Sequence, residues 1–280
     1  MLILALKRVI KVIIFLVVKM IEALKIFFSY NKNNFKIVLS TRPFALVLFM
    51  LGKIIRFLFF FFLIIFIYKN VKIIKGFSFE QMMVFYLTFN LVDQISQILF
   101  REVYRFKYHL VSGDFNLILL KPHHPFLKVL LGGVDLIDIL LLPFFFILVF
   151  IFLLKIPTFT LFNLFLYLIF LLNSLIISFA FHILVLAIGI ITIDTDNLIM
   201  FYRDLNNLSR FPIEIYKTPI REILTFVIPI AIASNFPAKI FFNLLSKEMV
   251  VYSFIFSFVF LMLSLKIWDI ALKKYQSWGG

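Results

Sequence analysis

Asp135 and Asp138 stand one helical turn apart, a spacing at which two carboxylates could share general acid–base work. They lie close to a basic stretch, and charge compensation is the simpler role. His123 and His124 are adjacent, so on a helix they point apart. No acid or third ligand accompanies them, and they read as surface rather than as a metal site. His182 is alone and reads as a packing histidine. A more regular pattern is Asn90, Asp93, Gln94, Gln97 and Arg101, which recur every three or four residues and so share one helix face. Polar residues inside a span face protein or water, seldom lipid. The stripe is therefore expected to face inward, either packing the bundle or lining a path. There is no Gly-x-x-x-x-Gly-Lys-Ser/Thr, no His-Glu-x-x-His and no Gly-x-Ser-x-Gly. The chain does not bind nucleotide by a P-loop, and no nucleophile–base pair supports a membrane enzyme.

The elements that carry these residues belong in a bilayer. Of 280 residues 64% are hydrophobic and 15% charged, with 41 Phe. A soluble domain is about half apolar and about a quarter charged. The expected fold is an all-α polytopic membrane protein. The net charge of +14 would suggest nucleic acid in a soluble chain. Here the basic residues flank apolar spans and face anionic headgroups, so no nucleic-acid partner is expected. Absence of Cys excludes disulfides and thiolate metal sites.

Residues 1–30 read as an amphipathic helix lying in the interface, with Lys7, Arg8, Lys11, Lys19, Glu22 and Lys25 along one edge. Six spans are expected, at 44–68, 79–100, 126–154, 161–190, 198–211 and 250–268. Lys53 and Arg56 interrupt the first. They either snorkel to the near surface or meet an acid such as Asp93 within the bundle. Pro143 could kink the third span. Pro212, Pro219, Pro229 and Pro237 break the segment 212–240 into pieces too short to cross. Broken helices survive at membrane depth only where protein or a cavity satisfies their backbone, so this segment reads as a re-entrant hairpin.

Between the second and third spans the chain turns basic. Arg101, Arg105, Lys107 and Lys121 face only Glu102 and Asp114, Gly113 is a natural helix stop, and Pro122 and Pro125 oppose a restart. A short amphipathic helix over about 101–114 is expected at the membrane surface. Another protein could push on the membrane domain there. Tyr104, Arg105 and Tyr108 supply the aromatic and Arg composition of binding hot spots. Lys and Arg counts favour both termini in the cytoplasm.

Three stretches resemble one family. "VSGDFNLILLKPHHPFLKVLL" (111–131) looks like the Gly-Glu/Asp-Leu-Asp…Leu-Leu-x-Pro-x-x-Pro signature of type-2 ABC exporter permeases. Asn116 stands where that signature is acidic. "LSRFPIEIYKTPIREILTFVIPIAIASNFPA" (208–238) is similar to the family's fifth span and re-entrant hairpin, and "ALKKYQSWGG" (271–280) to its closing Arg-Arg-Tyr-x-Ser element. The resemblance implies an exporter permease in the cytoplasmic membrane that binds no cofactor itself. It also implies a separate ATP-binding subunit, a second permease chain around one path, and a coupling helix at Arg101, Tyr104, Arg105, Tyr108, Gly113 and Asp114. The competing class is a secondary transporter or lipid scramblase with its own polar path. The substrate is not readable, since an apolar path lined by a few amides fits many molecules.

Overall fold

The computed structural model describes Glu22 and residues 25–32, 35–36 and 43–276. Most of the expected interfacial helix 1–30 lies outside them, and 25–32 are helical. The described residues build an all-helical bundle. Five helices are long and apolar enough to cross a membrane: α1 (Pro43–Asn70), α2 (Phe79–Phe100), α6 (Leu136–Leu154), α7 (Leu161–Thr192) and α12 (Lys247–Lys274). Their starts follow from capping chemistry. Ser78 and Gln81 form a reciprocal capping box on α2, and Asp135, Thr160 and Ser246 each accept from a backbone N–H of the first turn of α6, α7 and α12.

The third and fifth expected spans differ from the structure. The third begins at Leu136, not at 126. Phe126–Val129 (α5) makes one turn, and the non-helical Gly132 and Gly133 follow, the first against the Lys128 carbonyl and the second against Glu102. The helix then runs through Pro143. The fifth, expected at 198–211, is instead α8 (Thr195–Asn207) closed by a 3-10 turn, Leu208–Arg210. Thirteen residues rise about 20 Å, short of a hydrocarbon core of about 30 Å. Its polar residues and the extended Phe211 stop it. The surface helix expected over 101–114 is also broken. It is a 3-10 turn, Arg101–Arg105, then α3 (Phe106–Val111), a left-handed Gly113 (φ 77°), and α4 (Asp114–Leu119).

Three short helices fill 220–241: α9 (Ile220–Glu222, continued by a π turn to Val227), α10 (Ile230–Ser234) and α11 (Phe236–Phe241). The prolines mark their starts, with Pro219 and Pro229 at N-caps and Pro237 in the first turn of α11, where a missing N–H costs nothing. Every residue of α10 and α11 is buried, against α7 and α2. Asn235, wholly buried, splices the breaks. Its Oδ1 accepts from Ile213 N–H (2.7 Å) and its Nδ2 donates to the Ser209 carbonyl (2.9 Å). These are the protein partners that broken backbone needs. The last helix packs against α7 along Ser253, Ser257 and Ser264, whose hydroxyls donate to carbonyls of their own helix.

Candidate functional site

Walls from α1, α2, α6 and the α8 segment enclose a cavity of about 580 Å³. Asn90, Asp93, Gln94 and Gln97 of the α2 stripe all line it. So do Lys53 and Arg56 from α1, Asp138 from α6, Arg101 below the stripe, and Arg203 and Arg210 from the α8 segment. The apolar lining is aromatic. Phe57 stacks on Tyr86 (5.5 Å between ring centres) and meets Phe145 edge-on (5.2 Å), and the Tyr86 hydroxyl donates to the Phe57 carbonyl (2.8 Å). These contacts tie α1 to α2 and α6.

The carboxylates flanking the cavity do electrostatic work. Asp138, fully buried, accepts from Lys53 Nζ (2.5 Å) and from Gln94 Nε2 (2.5 Å). Asp135 caps α6 and lies 3.4 Å from Arg101 Nε and 3.7 Å from Lys53 Nζ. Of the two roles open to Lys53, snorkelling or meeting an acid such as Asp93, the structure shows neither as stated: it meets the α6 carboxylates. The pair Asp135 and Asp138 is consumed in charge compensation, with no nucleophile beside it.

The floor of the cavity is continuous with the elbow. Gln97 Nε2 donates to the Tyr104 hydroxyl (2.8 Å), and Arg101 donates to Gln97 Oε1 (3.1 Å). The Arg101 and Arg203 guanidinium groups lie over the Tyr104 ring at 4.7 and 5.7 Å. Tyr104 thus turns inward, which corrects its expected place on a partner-facing surface. The broken helix rotates it toward Gln97, where its hydroxyl finds a partner. Tyr108 is the exposed aromatic of the elbow, at 68%. Arg105 is exposed as well, and Asp114 opens α4 after Gly113.

Beneath the elbow Glu102 is buried beside Arg105 and His109, three and seven residues on, and beside Lys128, which only the fold brings to it. Its oxygens accept from Lys128 Nζ (2.7 Å), Arg105 (2.9 Å) and His109 Nε2 (3.3 Å). Burial by itself would raise this carboxyl. The His109 hydrogen bond and the Lys128 and Arg105 charges outweigh it and hold the group down at about 2. Gly133 is the enabling residue, because a Cβ there would run into the Glu102 carboxylate. The Gly132–Gly133 pair is the sequence signal for this close approach. Lys107 lies 3.7 Å from Asp194 and 3.6 Å from Asp196, which puts the elbow and the α7–α8 turn on one side of the bundle. His182, packed on Phe100 and Tyr202, hydrogen-bonds the Ser178 carbonyl (2.7 Å). No group of three or more metal-ligating side chains occurs among the described residues.

A polar cavity thus lies inside a bundle of apolar helices and is joined to a structured basic elbow. The family model described as ABC-2 family transporter protein matches residues 54–279. The chain belongs to the ABC-2 transporter family. No curated protein and no solved structure matches it. The ABC-2 assignment covers α1 from its middle, the elbow, the broken segment and α12, so the elbow and the cavity lining from Ile54 onward lie inside the matched region, while Leu48, Phe49, Gly52 and Lys53 precede it. The ABC-2 chain is a multi-pass membrane permease.

Proposed function

We propose that this chain is the permease subunit of an ATP-driven exporter in the cytoplasmic membrane. A separate ATP-binding subunit docks on the elbow, and a second permease chain, identical or paralogous, completes the path. Both termini face the cytoplasm. α8 with its closing turns makes the sixth crossing, continued outward by the re-entrant segment 212–240.

The observation that carries this reading is the bond between elbow and cavity. Tyr104 belongs to the elbow and Gln97 to the cavity stripe, so a push on one displaces the other. Arg105 and Tyr108 present the outward face to the ATP-binding subunit, and Gly113 and Asp114 set the turn behind them. Co-expression with an ABC ATP-binding subunit tests the docking. Arg105→Ala with Tyr108→Ala should insert normally, lose co-purification, and abolish the change in ATPase rate that the permease imposes. Equal retention of the ATPase by parent and variant would reduce the elbow to an anchor. Reporter fusions after Asn70 and after Lys155 should both read as outside, and a cytoplasmic signal from either overturns the topology.

A further inference from the structure

The cavity contains more positive charge than its own acids neutralise. Lys53 is taken by Asp138, and Arg101 by Asp135. Arg56, Arg203 and Arg210 make no ion pair with a carboxylate among the described residues, and Asp93 is the one acid of the lining left to face them. Their depth makes this costly. Arg56 is the middle of α1, about 20 Å from each end of that helix, so neither end is an easy escape for its charge. Arg210 lies 3.9 Å over the Phe60 ring and 5.4 Å from that of Phe89, a residue at the middle of α2. Arg56 and Arg210 lie within electrostatic reach of each other and repel. Charges at the middle of a span are rare and face a partner or a pathway. Arg210 spends one donor on the Asn207 amide oxygen (2.6 Å) and keeps others for an oxyanion.

The rest of the lining is apolar and opens sideways. Leu48 and Phe49 line the cavity and are 53% and 69% exposed, on the helix that is least buried in the bundle. The volume falls within the range of ligand sites, and guanidinium groups suit phosphate or carboxylate oxygens by bidentate pairing. We propose that this cavity binds an amphipathic anion, with its phosphate or carboxylate head between Arg56 and Arg210 and its apolar chain along Phe57, Phe144 and the exposed rim of α1. The inference rests on the permease reading and names its substrate class.

The test uses the full chain in phosphatidylcholine nanodiscs without an ATPase, with spin-labelled phosphatidic acid as probe and the immobilised fraction as readout. The parent should prefer phosphatidic acid to a diacylglycerol probe of the same chains. Arg56→Gln with Arg210→Gln should lower that preference about ten- to a hundredfold, the range expected for losing charge-assisted hydrogen bonds. The double Lys variant should restore much of it. Excess inorganic phosphate should displace little probe. If phosphate displaces all of it, the site takes a free anion and the amphiphile is excluded. If the parent does not discriminate phosphatidic acid from diacylglycerol, the proposal fails, whether or not the Gln variant folds. Since no ATPase is present, that failure leaves elbow coupling to stand or fall on its own experiment.

Discussion

Replacing Glu102 by Gln removes one charge from the cluster under the elbow while keeping size and one acceptor. The side chain is 3% exposed and faces Lys128, Arg105 and His109. Its carboxyl is held at about 2 against an ordinary value of 4.5, which corresponds to about 3 kcal/mol of folding free energy. The Lys128 and Arg105 side chains are 22% and 45% exposed, so water takes up part of the loss. The expected cost is about 2 kcal/mol, or a fall of about 4–8 °C in melting temperature for a chain of this class. The sign of the pH effect follows from the depressed value. The stabilisation is fully present above about pH 4.5 and is lost as pH falls toward 2. Melting of the purified protein, followed by size-exclusion after heating, should therefore drop steeply below pH 4.5 for the parent and less steeply for Glu102→Gln. Equal melting at pH 7 together with equal slopes in acid would refute the reasoning, because the carboxylate would then be contributing no net free energy.

Other substitutions probe the remaining joints. Gly133→Ala should mimic Glu102→Gln, since its Cβ needs the space of the carboxylate, and the double variant should cost less than the sum of the two. Asn235→Leu leaves Ile213 N–H and the Ser209 carbonyl buried without partners, at about 1–3 kcal/mol each, and should lower melting by more than Glu102→Gln. Asp138→Asn weakens the latch on Lys53 by about 1–2 kcal/mol, because Asp135 and partial exposure of Lys53 soften the loss. The chain has no Cys, so spin labels on Phe49→Cys and Leu141→Cys report α1 directly. Their distance distribution should broaden in the Asp138→Asn background, and an unchanged distribution means the aromatic contacts of Phe57 suffice.

Much of the architecture is legible in residue order because lipid imposes strong constraints. An apolar helix tolerates few polar residues, so the stripe from Asn90 to Gln97 stands out by period alone. Gly113 marks the elbow's turn, and the four prolines mark the broken segment. What faces the stripe is not legible. Arg203 and Arg210 arrive from far downstream, on a segment whose pattern reads as a span and gives no sign of which neighbour its arginines face. Nothing in residue order pairs Lys53 with Asp138, and only packing of α1 on α6 selects it. Tyr104 fits a surface hot spot by composition, yet a 3-10 turn in place of an α-helix changes its direction. Direction within a turn depends on tertiary packing, which residue types do not encode locally.

Ser253, Ser257 and Ser264 define the seam of the last helix by what they lack. Each hydroxyl is folded back on its own helix, so beside the Phe254–Phe170 and Phe260–Phe181 ring contacts α7 meets only small side chains there. Such a seam is set by thickness and not by polarity. It should accept alanine at any of the three positions and reject a branched side chain at all of them. It also has no directional bond to break when the helices slide lengthwise. The register of α12 on α7 is then held by the Phe254 and Phe260 ring contacts, by shape and not by polar bonds.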